Sequence, residues 1–115
     1  MSSTLSQAAS TDFRTLSSVE VAERLASGEE VFLVDVREPR AFHAGHIADA
    51  ILLPAGDFAD RYTREIDPED AVILVCERGQ TSEAAARFLV SQGFRDVSTM
   101  DGGMLAWTGD LTAKS

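Results

Sequence analysis

The sequence predicts a single α/β domain with a mostly parallel central sheet of about five short strands and helices on both faces. Residues 31–34 and Ala71–Val75 are continuously apolar, which is typical of strands buried on both faces. Amphipathic helical patterns separate these and the other strand patterns along the chain. Strands that alternate with helices form parallel sheets through helical crossovers, and 115 residues fit one domain.

The chain begins with a polar segment and a capped helix. Residues 1–11 are rich in Ser, Thr, Ala and Gln and are predicted to be a disordered tail. The folded domain is placed at residues 12–110. Ser17 and Glu20 have the spacing of a capping box, and Gly28 is expected to end the helix that they start.

The middle of the chain carries a short helix, a brief strand and a longer helix. Pro39, five residues beyond the end of the first apolar run, is expected to begin the short helix. The segment 50–54 ends in proline and is predicted to be a brief strand. Phe58, Tyr62 and Ile66 recur at every fourth residue, which places them on one face of the next helix.

The most apolar run, Ala71–Val75, is predicted to be the central strand. A helix is predicted over 82–92, with Gly93 at its C-terminal capping position. Asp96–Met100 is predicted to be a last short strand, followed by a short terminal helix that carries Trp107. This order leaves no internal linker and no repeat.

Composition and charge exclude several function classes. The net charge of −9 makes nucleic acid and anionic membranes poor partners. The single cysteine, Cys76, allows neither an internal disulfide nor a cysteine-based zinc site within one chain. No cofactor is indicated. The beginning of the sequence has neither a basic nor an apolar run, so a cytoplasmic location is expected.

Cys76 lies between the predicted central strand and the next helix. A buried cysteine that ends a core strand is commonly a structural hydrophobe. Here, however, the next six residues are polar, and a helix N-terminus is positioned to stabilise a thiolate. Gly79 allows the loop to curl so that backbone N–H groups converge on the sulfur, and Arg78 adds a local positive charge. These features favour a reactive thiol in an anion-binding loop.

Three segments, in order, resemble the signatures of single-domain rhodaneses in the sulfurtransferase family. They are VDVREPRAFHAGHIADAILLP, CERGQTSEAAARFLVSQGF and MDGGMLAW, and the resemblance covers about residues 15–108. The family often has arginine immediately before the serine of the active-site loop, where this chain has Thr81; an arginine lies three residues earlier, at Arg78. Asp49 stands where the family commonly has glycine.

The resemblance implies a two-step sulfur transfer. The Cys76 thiolate attacks the outer sulfur of a small anionic donor such as thiosulfate, sulfite leaves, and a persulfide remains on Cys76. The acceptor is cyanide, a small thiol or a protein thiol. The expected donor-binding residues form the loop after Cys76: Glu77, Arg78, Gly79, Gln80, Thr81 and Ser82. Glu77 is expected to point outward, because its charge opposes binding of an anion.

Several other polar residues are interpreted as structural. Asp35 and Arg37, at the carboxyl end of the first predicted strand, are expected to support the loop by hydrogen bonds rather than to touch substrate. His43 and His46 have no cysteine ligand nearby, so no metal site is predicted, and His46 is expected to make a structural hydrogen bond. Gly102 and Gly103 are expected to shape the turn into the last helix.

Two alternative functions remain open from the sequence. A phosphatase or arsenate reductase also places a cysteine before an anion-binding loop, but it needs an arginine at the loop's end, where this chain has Ser82. A non-enzymatic sulfur carrier or protein-interaction module would use the same fold without turnover of a small molecule. The oligomeric state is not indicated by the sequence.

Overall fold

The computed structural model describes residues 13–114 and contains the predicted α/β fold. The predicted tail, 1–11, lies outside the described residues. The elements, in chain order, are β1 (Arg14–Leu16), α1 (Ser18–Ala26), β2 (Phe32–Asp35), α2 (Pro39–Ala44), β3 (Ile51–Leu52), a 3-10 turn (Ala55–Asp57), α3 (Phe58–Glu65), β4 (Ala71–Val75), α4 (Gln80–Ser91), β5 (Asp96–Met100) and a terminal 3-10 helix (Gly103–Ala106).

The five strands form one parallel sheet in the order β1-β5-β4-β2-β3, which confirms the predicted fold class. Strand β4 lies at its centre. Asp35 pairs in register with Val75, and Leu74 pairs with Thr99, so neighbouring strands end at nearly the same level. The carboxyl ends of the central strands therefore form one edge, where a parallel sheet places its binding crevice.

Apolar layers cover both faces of the sheet. On one face, α3 and α4 contribute Phe58, Ala86 and Leu89, which pack on inward-facing residues of β2, β4 and β5. On the other face, Val21 of α1 packs with Ile73 and Val75, and the half-buried Met104 and Trp107 join them from the C-terminal segment. Each central strand is thus buried on both faces, which explains its continuous apolar run.

Strand β1 is the strand that the sequence pattern did not locate. Its three residues are mostly exposed and carry no apolar run. It forms because its backbone pairs with β5, from Arg14 opposite Ser98 to Leu16 opposite Met100. This pairing joins residues far apart in the sequence, so no local sequence pattern predicts the strand.

The predicted signals at helix ends are confirmed. The Ser17 side chain accepts a hydrogen bond from the Glu20 amide at 3.0 Å, and the Glu20 carboxylate accepts one from the Ser17 amide at 2.8 Å. Gly28 and Gly93 follow α1 and α4 with φ of 86° and 94°, the left-handed region that favours glycine. The prediction that the terminal helix carries Trp107 was wrong: it is a 3-10 helix, Gly103–Ala106, and Trp107 follows it in an extended conformation.

His46 has the structural role that was predicted for it. It is buried, and its ring stacks on Phe42 with centroids 3.6 Å apart. Its Nδ1 lies 2.7 Å from the Phe42 carbonyl oxygen. Because a carbonyl only accepts, Nδ1 carries the proton and donates it to this bond.

Among the described residues, no helix has the length and the run of apolar residues needed to cross a bilayer.

Candidate active site

Cys76, the candidate reactive residue, immediately follows the central strand. Its side chain is only 4% exposed, at the carboxyl edge of the sheet. The next helix, α4, begins at Gln80, two residues earlier than the sequence pattern predicted. It starts early because Gly79 adopts a φ of 110°, which turns the chain into the helix within three residues of the cysteine.

Two backbone amides point at the sulfur. The Gly79 and Ser82 N–H groups donate to Cys76 Sγ at 3.0 and 3.2 Å. Both belong to the cap and first turn of α4, whose free N–H groups carry partial positive charge. This arrangement stabilises a negatively charged sulfur without any cationic side chain, and so suits a protein with a net charge of −9.

The Ser82 hydroxyl is a third polar group at the sulfur. Ser82 is fully buried, its Oγ lies 3.4 Å from Cys76 Sγ, and its hydroxyl donates to the Gly79 carbonyl at 3.0 Å. In this geometry a protonated Cys76 donates to Ser82 Oγ. When the sulfur is negative, the same hydroxyl can rotate and donate to it instead.

The terminal 3-10 helix forms hydrogen bonds with the backbone at the beginning of the loop. The amides of Met104 and Leu105 donate to the carbonyls of Cys76 and Glu77, at 2.7 and 3.1 Å. Gly103 makes this approach possible: a Cβ on it would lie 2.5 Å from both carbonyl oxygens. Gly102 and Gly103 were predicted only to shape a turn. The structure gives Gly103 the additional role of close contact with the backbone at the cysteine.

Asp35 and Arg37 form a buried ion pair beside the loop. Arg37 Nη2 lies 2.8 Å from Asp35 Oδ2 and 2.9 Å from the Gly45 carbonyl. The hydrogen bond to Asp35 raises the pKa of Arg37 against the lowering effect of burial, and the Coulombic attraction of Asp35 and Glu77 adds to the rise. Arg37 Nη1 also lies 3.7 Å from Glu77 Oε1, so the pair connects strand β2 to the loop.

A cavity of about 450 Å³ opens above the cysteine. Its walls come from the residues after β2, from α2, from the turn after β3 and from the loop; they are Val36, Arg37, Glu38, Ala41, Ala55, Cys76, Glu77 and Thr81. Glu77 was expected to point outward. Its side chain is 54% exposed, yet it lines this cavity because its carboxylate turns toward Arg37.

The structure does not bring every predicted donor-binding residue to the cavity wall. Thr81 and Glu77 line it, and Gly79 and Ser82 reach the sulfur through their amides. Arg78 and Gln80 are exposed and are not part of the wall. Arg37 is therefore the cationic residue that borders the cavity.

Sequence reasoning missed the lining residues Val36, Glu38, Ala41 and Ala55. The signal that could have found them was available, because they follow the carboxyl ends of β2 and β3, where the crevice of a parallel sheet lies. Their side chains carry no reactive group apart from Glu38, so a search for chemical motifs passed over them.

Comparison with known proteins identifies the family. The profile of the Rhodanese-like domain matches residues 17–110. "Thiosulfate sulfurtransferase GlpE" of Pseudoalteromonas translucida is 36% identical over 102 residues, which cover 89% of this chain and 95% of that protein. The protein of the same name from Pseudomonas syringae pv. syringae is 45% identical over 75 residues, 65% and 70% of the two chains. The crystal structure of a rhodanese-like domain protein from Staphylococcus aureus superposes with a TM-score of 0.80 at 28% identity and covers 90% and 100% of the two chains. The chain belongs to the rhodanese-like family.

Proposed function

We propose that this protein is a thiosulfate sulfurtransferase that carries sulfur as a persulfide on Cys76. The observation that carries this proposal is the pair of amides, from Gly79 and Ser82, that donate to Cys76 Sγ. A thiolate places its negative charge on Sγ itself, and a persulfide places it on the sulfur bonded to Sγ. Preorganised donors of this kind stabilise charge without reorganising during the reaction.

In the first half-reaction, the Cys76 thiolate attacks the outer sulfur of thiosulfate. A new S–S bond forms at Cys76, the S–S bond of thiosulfate breaks, and sulfite leaves with the electron pair. The negative charge of the thiolate passes to the terminal sulfur of the persulfide. No proton is transferred, so no general base is required once the thiolate is present.

In the second half-reaction, a nucleophile attacks the terminal sulfur of the persulfide. With cyanide, the terminal sulfur forms a bond to carbon, the S–S bond breaks, and thiocyanate leaves while the thiolate returns to Cys76. A small thiol or a protein thiol can take the same sulfur. We place this chemistry in the cytoplasm, where reducing conditions keep the Cys76 thiol free.

The remaining loop residues are assigned to donor binding, with Asp35 and Arg37 in support. Arg78 is exposed beside the site, from where its charge attracts the anionic donor. Replacing Arg78 with alanine is expected to raise KM for thiosulfate more than it lowers turnover with a neutral donor. Equal effects on both donors would show that Arg78 does not attract the anion.

Steady-state kinetics test the function itself. The protein is expected to form thiocyanate from thiosulfate and cyanide with a ping-pong pattern, because the first product leaves before the acceptor binds. Cys76→Ser is expected to abolish the reaction. Ser91→Ala, an exposed change at the far end of α4, is the matched control and is expected to keep wild-type rates. Thiocyanate formation by Cys76→Ser would refute the proposal.

Turnover of p-nitrophenyl phosphate in place of thiosulfate would instead support a phosphatase. Ser82, at the position where a phosphatase loop needs its arginine, argues against that outcome.

A further inference from the structure

A second cavity lies next to the one above Cys76, between helices α3 and α4. Its volume is about 200 Å³. The two cavities share Ala55 and Thr81 in their walls. A molecule whose sulfur is at Cys76 can therefore extend past Thr81 into this second cavity, called the α3–α4 groove from here on.

The wall of the α3–α4 groove is almost entirely hydrocarbon. Thr81 is its one polar side chain; the others are Ala55, Phe58, Ala59, Ala84, Ala85 and Phe88. Phe58 is buried and Phe88 is half-buried, and both contribute apolar surface to the groove. A cavity of roughly 150 Å³ with an apolar wall is enough to hold a benzene ring. The groove is thus large enough for a short alkyl chain or one ring.

Small side chains keep the groove open. Ala84 of α4 and Ala59 of α3 are both exposed, on opposite sides of it. A residue with a longer apolar side chain at either position would fill the space. Alanine at these positions leaves apolar surface that a ligand, rather than the protein, is able to cover.

The charges in the cavity above Cys76 favour an acceptor with little negative charge away from its sulfur. The wall there holds one cation, Arg37, and two carboxylates, those of Glu38 and Glu77. Arg37 is already engaged by Asp35 at 2.8 Å. A neutral hydrocarbon group meets no repulsion from these carboxylates, whereas an acceptor with further anionic groups does.

We propose that the α3–α4 groove binds the hydrocarbon group of an apolar thiol that accepts sulfur from Cys76. The thiolate of the acceptor forms a bond to the terminal sulfur of the Cys76 persulfide, and the S–S bond at Cys76 breaks. Its electron pair returns to Cys76 Sγ, and the acceptor leaves as an organic persulfide. The exchange is balanced without any added oxidant or reductant. The inference rests on the proposed sulfur transfer through Cys76.

Two neutral thiols of the same type test the groove: mercaptopropanol and mercaptohexanol. They share the reacting group and the hydroxyl end and differ by three methylenes. Complete burial of one methylene contributes roughly 0.8 kcal/mol, or about fourfold in rate. Because the groove is open on one side, we expect kcat/KM about tenfold higher for mercaptohexanol. The measurement is the loss of one sulfur from the mass of persulfide-loaded protein over time.

Variants that narrow the groove locate the effect. Ala84→Leu, and from the opposite wall Ala59→Leu, are each expected to reduce the advantage of mercaptohexanol to less than about threefold. Each thiol rate is divided by the cyanide rate of the same variant, which corrects for changes at Cys76 itself. Ser91→Leu adds the same side chain to an exposed position of α4 outside the groove, and it is expected to keep the tenfold preference.

The possible outcomes separate the two proposals. This inference would be overturned if the two thiols reacted at equal rates, or if the preference for mercaptohexanol survived in both groove variants. If cyanide still accepts sulfur in those experiments, the proposed sulfurtransferase function stands. Protein that cannot be loaded with sulfur at all would overturn the proposed function and the inference together.

Discussion

Gly103 lies against the backbone at Cys76, and its replacement by alanine is expected to disturb both stability and sulfur transfer. Its φ is 62°, and an added Cβ would lie 2.5 Å from the carbonyl oxygens of Cys76 and Glu77. These are backbone atoms and cannot move aside as a flexible side chain can. The terminal 3-10 helix must therefore shift away from the loop, which disrupts the hydrogen bonds from Met104 and Leu105.

The expected loss of stability follows from two contributions. A left-handed conformation costs an alanine about 1–2 kcal/mol. Each of the two disrupted hydrogen bonds contributes about 1 kcal/mol. The free energy of unfolding of Gly103→Ala is thus expected to fall by about 3–4 kcal/mol, measured by urea denaturation. The rate of persulfide formation is expected to fall as well, because the loop loses its attachment at Cys76.

Gly93→Ala is the matched control. Gly93 has a φ of 94°, but nothing lies within 4 Å of its Cβ position. This variant is expected to lose only the conformational contribution, about 1–2 kcal/mol, and to form the persulfide at the wild-type rate. If Gly103→Ala and Gly93→Ala had the same free energy of unfolding and the same rate of persulfide formation, the contact between the terminal 3-10 helix and the Cys76 loop would not stabilise the loop.

Three further variants examine separate features of the structure. Arg37→Met is expected to lower the free energy of unfolding by about 3 kcal/mol, because it leaves the buried Asp35 carboxylate without its cation. Adding Asp35→Asn to this variant should recover part of the lost stability, and a double variant no more stable than Arg37→Met would contradict the explanation. Asp49→Gly is expected to raise the free energy of unfolding by about 0.5 kcal/mol. Asp49 has a φ of 70°, and the backbone strain that glycine relieves there is expected to outweigh the entropy that glycine adds to the unfolded chain. A lower free energy of unfolding in urea denaturation would refute this prediction. Glu77→Gln is expected to lower KM for thiosulfate by about two- to threefold at low salt, because the substitution removes one negative charge from the cavity wall. The difference in KM between the variant and the wild type should vanish near 1 M salt, and a difference that persists there would contradict an electrostatic cause.

Local patterns predicted the parts of the fold that local physics determines. The apolar run at Ala71–Val75 marks a strand buried on both faces, and the Ser17–Glu20 capping box marks the start of α1. The strand at Arg14–Leu16 was missed because it depends on a partner, β5, that lies some eighty residues away. The start of α4 was placed two residues late because the conformation of Gly79 cannot be inferred from its neighbours.

The site was predictable where chemistry resides in one loop and not where it depends on contacts between loops. Cys76 at a strand end, followed by glycine and a helix, indicated the anion-binding arrangement that the amides of Gly79 and Ser82 provide. The turn of Glu77 toward Arg37 could not be foreseen, because it depends on how far β2 and the loop lie from each other. The contact of Gly103 with Cys76 likewise requires the folded chain.

The central claim is that Cys76 carries the transferred sulfur, and intact-protein mass spectrometry tests it most directly. After incubation with thiosulfate, the wild-type protein is predicted to gain the mass of one sulfur atom and to lose it again when cyanide is added. Cys76→Ser is predicted to gain nothing under the same conditions. Wild-type protein that stays unmodified by thiosulfate and by polysulfide, or a Cys76→Ser variant that gains the same mass, would contradict the claim.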